Sequence, residues 1–500
     1  MSLTSDELNF LVYRYLHESG FRHSAFTFGA ESLVAKSNIS GSKVPPGQLV
    51  NFVQKGMMYA ELERTVADDG ECPGSTEPLS DLSGDSKKSG GGGVGEKRSR
   101  DDGAGGSSSK EGGSSSRKSS AAAADAMDTD APANGAESTL SEEQVTTLSG
   151  HTSEVFICAW SPTTLQLASG SGDSTARIWQ VPEGPCGRSQ VGQVPDPVVL
   201  QHVSADNKEK SKDVTTLDWN HDGSQLATGS YDGQARIWTA SGQLANTLTK
   251  HKGPIFSLKW NSTGQYLLSG SVDKTAIIWD AATGGVRQQF AFHKDPTLDV
   301  DWRDADSFAS CSTDRMIYVC KLGVSSYLKC FTGHKDEVNA IKWDPSGTLL
   351  ASCSDDHTAK VWSMKQDTCL HDLREHKKEI YTIKWSPTGA GSSNPGAPLR
   401  LASASFDSTI RLWDPETGKC CHVLDKHSDP VYSVAFSPNG QYLASGSFDH
   451  CLHIWSVKDG SLIKTYTGQG GIFEVCWNAA GTKVAACFSD NTVSVIDVRV

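Results

Sequence analysis

Residues 403–414 read Ser403-Ala404-Ser405-Phe406-Asp407-Ser408-Thr409-Ile410-Arg411-Leu412-Trp413-Asp414: an Asp in a turn, a strand-like run, and a Trp six residues after the Asp. The pair recurs as Asp173/Trp179, Asp232/Trp238, Asp273/Trp279, Asp356/Trp362 and Asp449/Trp455. Two further copies keep the Asp and lose the Trp, with Cys320 after Asp314 and Ile496 after Asp490. Successive Asp residues lie 59, 41, 41, 42, 51, 42 and 41 positions apart, so the base period is 41–42 with two insertions. The longer insertion falls within Pro182–Lys212 and is largely polar; the shorter, Gly389–Pro398, reads as a surface loop. A His stands 21 or 22 residues before the Asp at His151, His251, His293, His334 and His427. His376 is displaced by the loop insertion, Gln469 fills the slot in the last copy, and His202 fits the pattern least.

A period near 40–45 residues with Gly-His and Trp-Asp signals marks a β-propeller with four strands per blade. The chain resembles the WD-repeat family here, on Gly150-His151, Gly333-His334, Trp279-Asp280 and Trp413-Asp414. Eight landmarks predict a mainly β fold with an eight-bladed propeller over residues 140–500. The strand Gln144–Leu148 should pair with the last blade, Asn491–Val500, and close the ring without free edges. The resemblance also implies what the repeated polar residues do. In that family the Trp indole, a Ser or Thr, the His and the turn Asp form a buried hydrogen-bond chain, as buried polar groups require. Serines two and four before each Asp, such as Ser169/Ser171 and Ser403/Ser405, are the candidates. A His-Ser-Asp set repeated through residues 140–500 is scaffolding and not a hydrolase triad. No Gly-x-Ser-x-Gly elbow or phosphate-binding loop occurs, and Cys369-Leu370-His371 and Cys420-Cys421-His422 are too isolated for zinc. No catalytic residue, metal or cofactor is expected.

Composition narrows the rest. The net charge of −13 disfavours direct sequence-specific nucleic-acid binding and suits a partner with basic segments. No run approaches the 18 or so apolar residues of a membrane helix, and the start Met1–Glu7 lacks the basic and apolar regions of a secretory signal. Thirteen cysteines without a Cys-x-x-Cys pair read as reduced intracellular thiols.

Function should lie where the repeats differ. Each copy's first strand ends in Trp or Phe: Trp160, Trp219, Trp260, Trp302, Trp343, Trp385, Phe436 and Trp477. The slot four residues earlier lines the top mouth of the channel by the family pattern, and holds Phe156, Thr215, Phe256, Leu298, Asn339, Tyr381, Tyr432 and Phe473. A slot six residues earlier holds Glu154, Asp213, Pro254, Pro296, Glu337, Glu379, Pro430 and Gly471, four acidic and none basic. The residue before each turn Asp adds Tyr231, Phe406, Phe448 and Asp355. Aromatic faces ringed by carboxylates suit a Lys- or Arg-rich peptide, since each cation–π contact contributes roughly 0.5–2 kcal/mol and carboxylates orient the cation. A basic histone tail is the expected ligand.

Residues 1–65 read as a small helical module. Leu8, Leu11, Val12, Tyr15 and Leu16 make one helical stripe behind a Thr4/Glu7 capping box. With Gly20, Phe21, Ala25 and Phe26 the run looks like a LisH dimerisation motif. So thin a core invites oligomerisation through Leu8, Leu11, Tyr15, Leu16, Phe21 and Phe26. Val44-Pro45-Pro46 through Glu61 resembles an F-box-like segment. Residues 66–139 are a Gly/Ser-rich linker, too poor in apolar groups to fold. Within it, Lys87-Lys88 and Lys97-Arg98-Ser99-Arg100 form two basic clusters spaced like a bipartite nuclear-import signal, which places the protein in the nucleus.

LisH, F-box-like segment, linker and propeller in this order resemble the transducin-beta-like protein 1 family, and the Gly/Ser-rich linker suggests its plant branch. The resemblance implies a non-enzymatic subunit of nuclear co-repressor complexes. A tetrameric N-terminal module would grip co-repressor segments of a complex that contains a histone deacetylase, while the propeller contacts histone tails and other factors. The alternative is a substrate receptor of a cullin-based ubiquitin ligase. Partial Trp-Asp-x-Arg matches at Ile496-Asp497-Val498-Arg499, Trp362-Ser363-Met364-Lys365 and Trp455-Ser456-Val457-Lys458 speak for that reading.

Overall fold

The computed structural model describes residues 9–14, 138–187, 194–202 and 212–498. Residues 9–14 are helical, with Leu11 only 6% exposed. Leu8, Tyr15, Leu16, Phe21, Phe26, the F-box-like segment and the basic clusters Lys87, Lys88, Lys97, Arg98 and Arg100 lie outside the described residues. Among the described residues no helix is long and apolar enough to cross a membrane.

From residue 145 onward the chain is an eight-bladed β-propeller. Each blade is a four-stranded antiparallel sheet whose strands follow one another in sequence: residues 155–201, 214–248, 255–290, 297–331, 338–373, 380–424 and 431–467 form blades 1 to 7. Blade 8 takes three strands from 472–497 and its fourth from Val145–Ser149, which pairs antiparallel with Thr492–Asp497. The ring therefore closes as the sequence predicts. Within each blade the second strand is almost wholly buried, as in Gln166–Ser171 and Tyr442–Ser447, while in blades 1 to 7 the fourth is more exposed, as in Lys419–Leu424. That gradient is what stacking sheet faces around an axis produces.

Two features differ from the sequence reading. Ser138–Thr139 adds a fifth strand, parallel to Leu462–Thr467, on the outer edge of blade 7. The stretch Pro182–Lys212 is not all insertion: Val198–Gln201 inside it is the fourth strand of blade 1. Four residues with an exposed outward side carry too little apolar signal to stand out from polar surroundings.

Candidate functional site

The repeated polar residues form the interior of the blades. In blade 1 the Trp179 indole N–H donates to Ser169 Oγ at 2.9 Å, and Ser169 bonds His151 Nε2 at 2.8 Å. His151 Nδ1 then meets Asp173 at 2.9 Å. Every donor finds an acceptor if His151 is neutral with its proton on Nδ1. The same chain runs through His251, Ser269, Asp273 and Trp279, and through His334, Ser352, Asp356 and Trp362. It recurs in His376, Ser403, Asp407 and Trp413, and in His427, Ser445, Asp449 and Trp455. The serine four before the Asp carries the chain. The serine two before it caps the turn, as Ser171 Oγ accepts the Asp173 N–H at 3.1 Å.

Blade 2 departs from this. His202 bonds Thr228 at 2.8 Å, and Trp238 donates to the same hydroxyl at 2.9 Å, but Asp232 is not part of the chain. His202 Nδ1 turns to its own strand at Leu200 O, 3.3 Å away, and Arg236 takes the Asp232 carboxylate at 3.5 Å instead. In blade 4, where Cys320 replaces the Trp, Phe308 packs against Phe290 at 5.0 Å and Tyr318 against His293 at 4.8 Å. His427, Asp449 and His453 bring one ligand atom each within 4.8 Å of one another, close enough to hold a metal ion. Both ring nitrogens of His427 are already bonded, to Asp449 and Ser445, and His453 Nδ1 meets Thr465 at 2.9 Å, so this is blade interior.

The top face, which carries the Asp turns, is built by one backbone device used eight times. Every innermost strand has a bulge, and the skipped residue is in each case the ring-slot residue: Phe156, Thr215, Phe256, Leu298, Asn339, Tyr381, Tyr432 and Phe473. A bulge re-aims its extra side chain out of the ladder. The other two slots sit beside it, joined by a backbone hydrogen bond in every blade, such as Tyr231 N–H to Asp213 O, Asp355 to Glu337, Phe406 to Glu379 and Phe448 to Pro430. Gly172 bonds Glu154 in the same way.

These residues are not spread evenly. Tyr381 stacks on Phe406 at 5.8 Å and meets Tyr432 edge-on at 5.1 Å. Tyr432 reaches Phe448 and Phe473, each at 6.1 Å, and Phe473 reaches Phe156 at 5.6 Å. One aromatic band thus runs from blade 6 through 7 and 8 to blade 1. Tyr432 is only 4% exposed and supports the band from beneath, so a ligand would meet Tyr381, 46% exposed, and not Tyr432. Tyr231 and Phe256, both exposed, stand apart from the band on blades 2 and 3.

Beside the band lies a crowd of carboxylates. Burial, followed by Asp355, Asp336 and Asp295, raises the pKa of Glu337. Burial also raises that of Asp355, with Glu379 and Asp336 adding to it and Asn339 and His357 opposing. Asn339 donates to Asp355 at 2.6 Å. The acidic slots of blades 5 and 6 therefore form one sector, while Glu154 and Asp213 lie on blades 1 and 2. Carboxylates that raise one another's pKa hold repulsion that a bound cation relieves.

The role of one set of residues and the existence of another were not evident in the sequence. Six of the seven landmark Trp side chains clamp neighbouring blades: Trp219, for example, donates to Ala159 O at 3.1 Å, Trp260 to Asp218 O at 3.0 Å and Trp385 to Lys342 O at 2.8 Å. One and three residues before these landmarks, Asp218, Lys259, Asp299, Asp301, Lys342, Lys384 and Glu474 form a charged cluster along the innermost strands. Lys342 bonds Asp299, and although burial opposes its ammonium, Asp299 and Asp301 hold its pKa above the ordinary lysine value. The alternation of these positions with buried Leu and Val was the available signal.

The comparisons with known proteins agree with this architecture. The WD domain, G-beta repeat model matches residues 142–180, 202–239, 242–280, 325–363, 367–414, 418–456 and 460–497, and the LisH model matches 6–32. The chain is 53% identical to mouse F-box-like/WD repeat-containing protein TBL1X, with both chains covered in full. It is 46% identical, again over both full chains, to the WD40 repeat-containing protein HOS15 of Arabidopsis thaliana. The SIR4-interacting protein SIF2 of Saccharomyces cerevisiae is 25% identical, with 100% of this chain and 88% of that one covered. The crystal structure of the C-terminal WD40 domain of Sif2 matches with a TM-score of 0.62, covering 71% of this chain and 99% of that one.

Proposed function

Because the chain belongs to the transducin-beta-like 1 family of F-box-like/WD-repeat proteins, a family of propeller scaffolds, we propose that it is a non-enzymatic scaffold of a nuclear co-repressor complex, in which the propeller holds histone tails. The observation that carries this is the adjacency of the acidic sector of Glu337, Asp355 and Glu379 to the aromatic band that opens at Tyr381 and Phe406. A Lys or Arg side chain laid over Tyr381 would have carboxylates beside it, which is the pairing that cation–π recognition uses. Acetylation removes the charge and with it both contributions.

The N-terminal module gathers copies of the chain and binds the co-repressor and deacetylase, and the basic clusters at Lys87–Lys88 and Lys97–Arg100 serve import into the nucleus. Tethered copies raise local concentration, so modest affinity for each tail is enough to hold the enzyme on chromatin. Changing Leu11 and Leu16 to Arg in the full chain tests the assembly half. Light scattering should then give the mass of one chain, deacetylase activity co-purified from nuclear extract should fall, and the propeller should melt as before. An unchanged mass, with activity retained, would overturn it.

A further inference from the structure

On the face opposite the Asp turns, between blades 6 and 7, lies a cavity of about 530 Å³ whose lining is basic on a chain of net charge −13. Its cationic groups are Arg400 and Lys458, His422 adds a polar imidazole, and none of its lining residues is Asp or Glu. The loop that distinguishes blade 6 from the other repeats builds one wall. Asn394 fixes that loop across the blades by donating to Pro387 O at 2.8 Å and to Pro438 O at 2.9 Å, and Thr388 holds Pro398 O at 2.8 Å. Arg400 stands two residues after the loop and meets Asp414 at 3.8 Å, outside the lining. His422 Nε2 lies 3.2 Å from the carbonyl of Lys458, tying the two blades together, whereas the exposed Lys458 ammonium has no ion pair among the described residues. Its neighbour Asp459 is turned to Ser461 at 2.7 Å.

We propose that this cavity binds an acidic peptide segment, its carboxylates reaching Arg400, Lys458 and His422 and its aliphatic parts lying on Pro398, Tyr442 and Val457. A peptide suits the site better than a free anion because Arg400 and Lys458 stand on two different blades and because much of the remaining wall is apolar. The neighbouring strand Lys419–Leu424 is the outermost of blade 6, with Val423 exposed, and its outer edge has no partner strand among the described residues. On blade 7 the same edge is taken by the extended segment Ser138–Thr139, so an edge of this propeller accepts a further strand, the mode by which extended peptides dock on sheets. This face is distinct from the acidic one proposed for histone tails, and the two readings stand or fall separately.

The test uses the full chain with Lys87, Lys88, Lys97, Arg98, Arg100, Lys110, Arg117 and Lys118 changed to Ser, so that the linker does not compete, and a fluorescein-labelled hexaglutamate peptide read by anisotropy. Saturable binding should weaken about tenfold in Lys458→Glu and stay within about twofold in Lys458→Arg, as a charge reversal at an exposed contact requires. Millimolar inorganic phosphate should leave most of the peptide bound. The proposal is overturned by the absence of saturable binding, by a Lys458→Glu protein that binds like its parent, or by complete displacement with phosphate, which would make this a free-anion site.

Discussion

Trp179 starts a donor chain that runs one way, through Ser169 and His151 to the carboxylate of Asp173. Its direction fixes the charge states. Burial lowers the pKa of His151 and outweighs the opposing pull of Asp173. Burial works against the Asp173 carboxylate, yet the bonds from His151, Thr175 and the Thr152 N–H together hold it well below the usual range. Asp273, Asp356 and Asp407 are depressed in the same way, and burial drives His202 and His453 down to about 3. Folded-state values below the unfolded ones mean that the unfolded chain binds more protons, so stability falls with acid: from about pH 6.5 downward for the His residues and from about pH 4 downward for the Asp residues. Each such group contributes a slope of up to ~1.4 kcal/mol per pH unit within its window. His202→Gln should therefore flatten the loss of stability between pH 6.5 and 4, measured as urea midpoints across pH. A slope equal to that of the parent would contradict the assignment.

The turn and the bulge are the two elements that make the site. In the turn, the residue after each Asp has a left-handed backbone: Ser174, Lys274, Arg315, His357, Ser408, His450 and Asn491 have φ between 65° and 73°, and only blade 2 uses glycine, at Gly233. The Asp carboxylate holds that shape by accepting the N–H two residues on, as with Thr175 and Met316. A left-handed non-glycine costs roughly 1–2 kcal/mol, and glycine loses about 0.5–1 kcal/mol to chain entropy, so Arg315→Gly should gain about 0.5 kcal/mol. Arg315 is exposed, so a lower melting temperature would mean that its side chain matters. The Asp turn was legible because one residue type marks it. The bulge was not, because strand register depends on the partner strand, and the ring slot was placed by family resemblance alone. The Asp232 exception was hidden for a similar reason, since nothing local to Arg236 says that it replaces a His.

At the scale of the whole molecule the ring depends on five residues supplied from its beginning. Val145–Ser149 covers the edge of Thr492–Asp497, which would otherwise be open to pairing. Leu148 is 2% exposed, in a cluster with Val155, Trp160, Val493 and Val495 that joins the first blade to the last. Leu148→Ala should cost ~2–5 kcal/mol in urea unfolding, far more than Val423→Ala on the exposed edge of blade 6. Equal costs would show that closure is not where the ring is held. Blade number and closure were legible because the period repeats eight times. The clustering of aromatics on blades 6 to 1, and of carboxylates on blades 5 and 6, became visible only when the slots were placed around a circle. The role proposed for this asymmetric face is to read cationic tails. It is tested most directly by titrating the full chain with unmodified and acetylated histone tail peptides at two salt concentrations, alongside Tyr381→Ala. Binding that salt and acetylation weaken and that Tyr381→Ala reduces about tenfold is the predicted result. No binding to any tail, or equal binding to both peptides by the parent and the variant, would contradict it and favour a ubiquitin-ligase receptor with a different substrate.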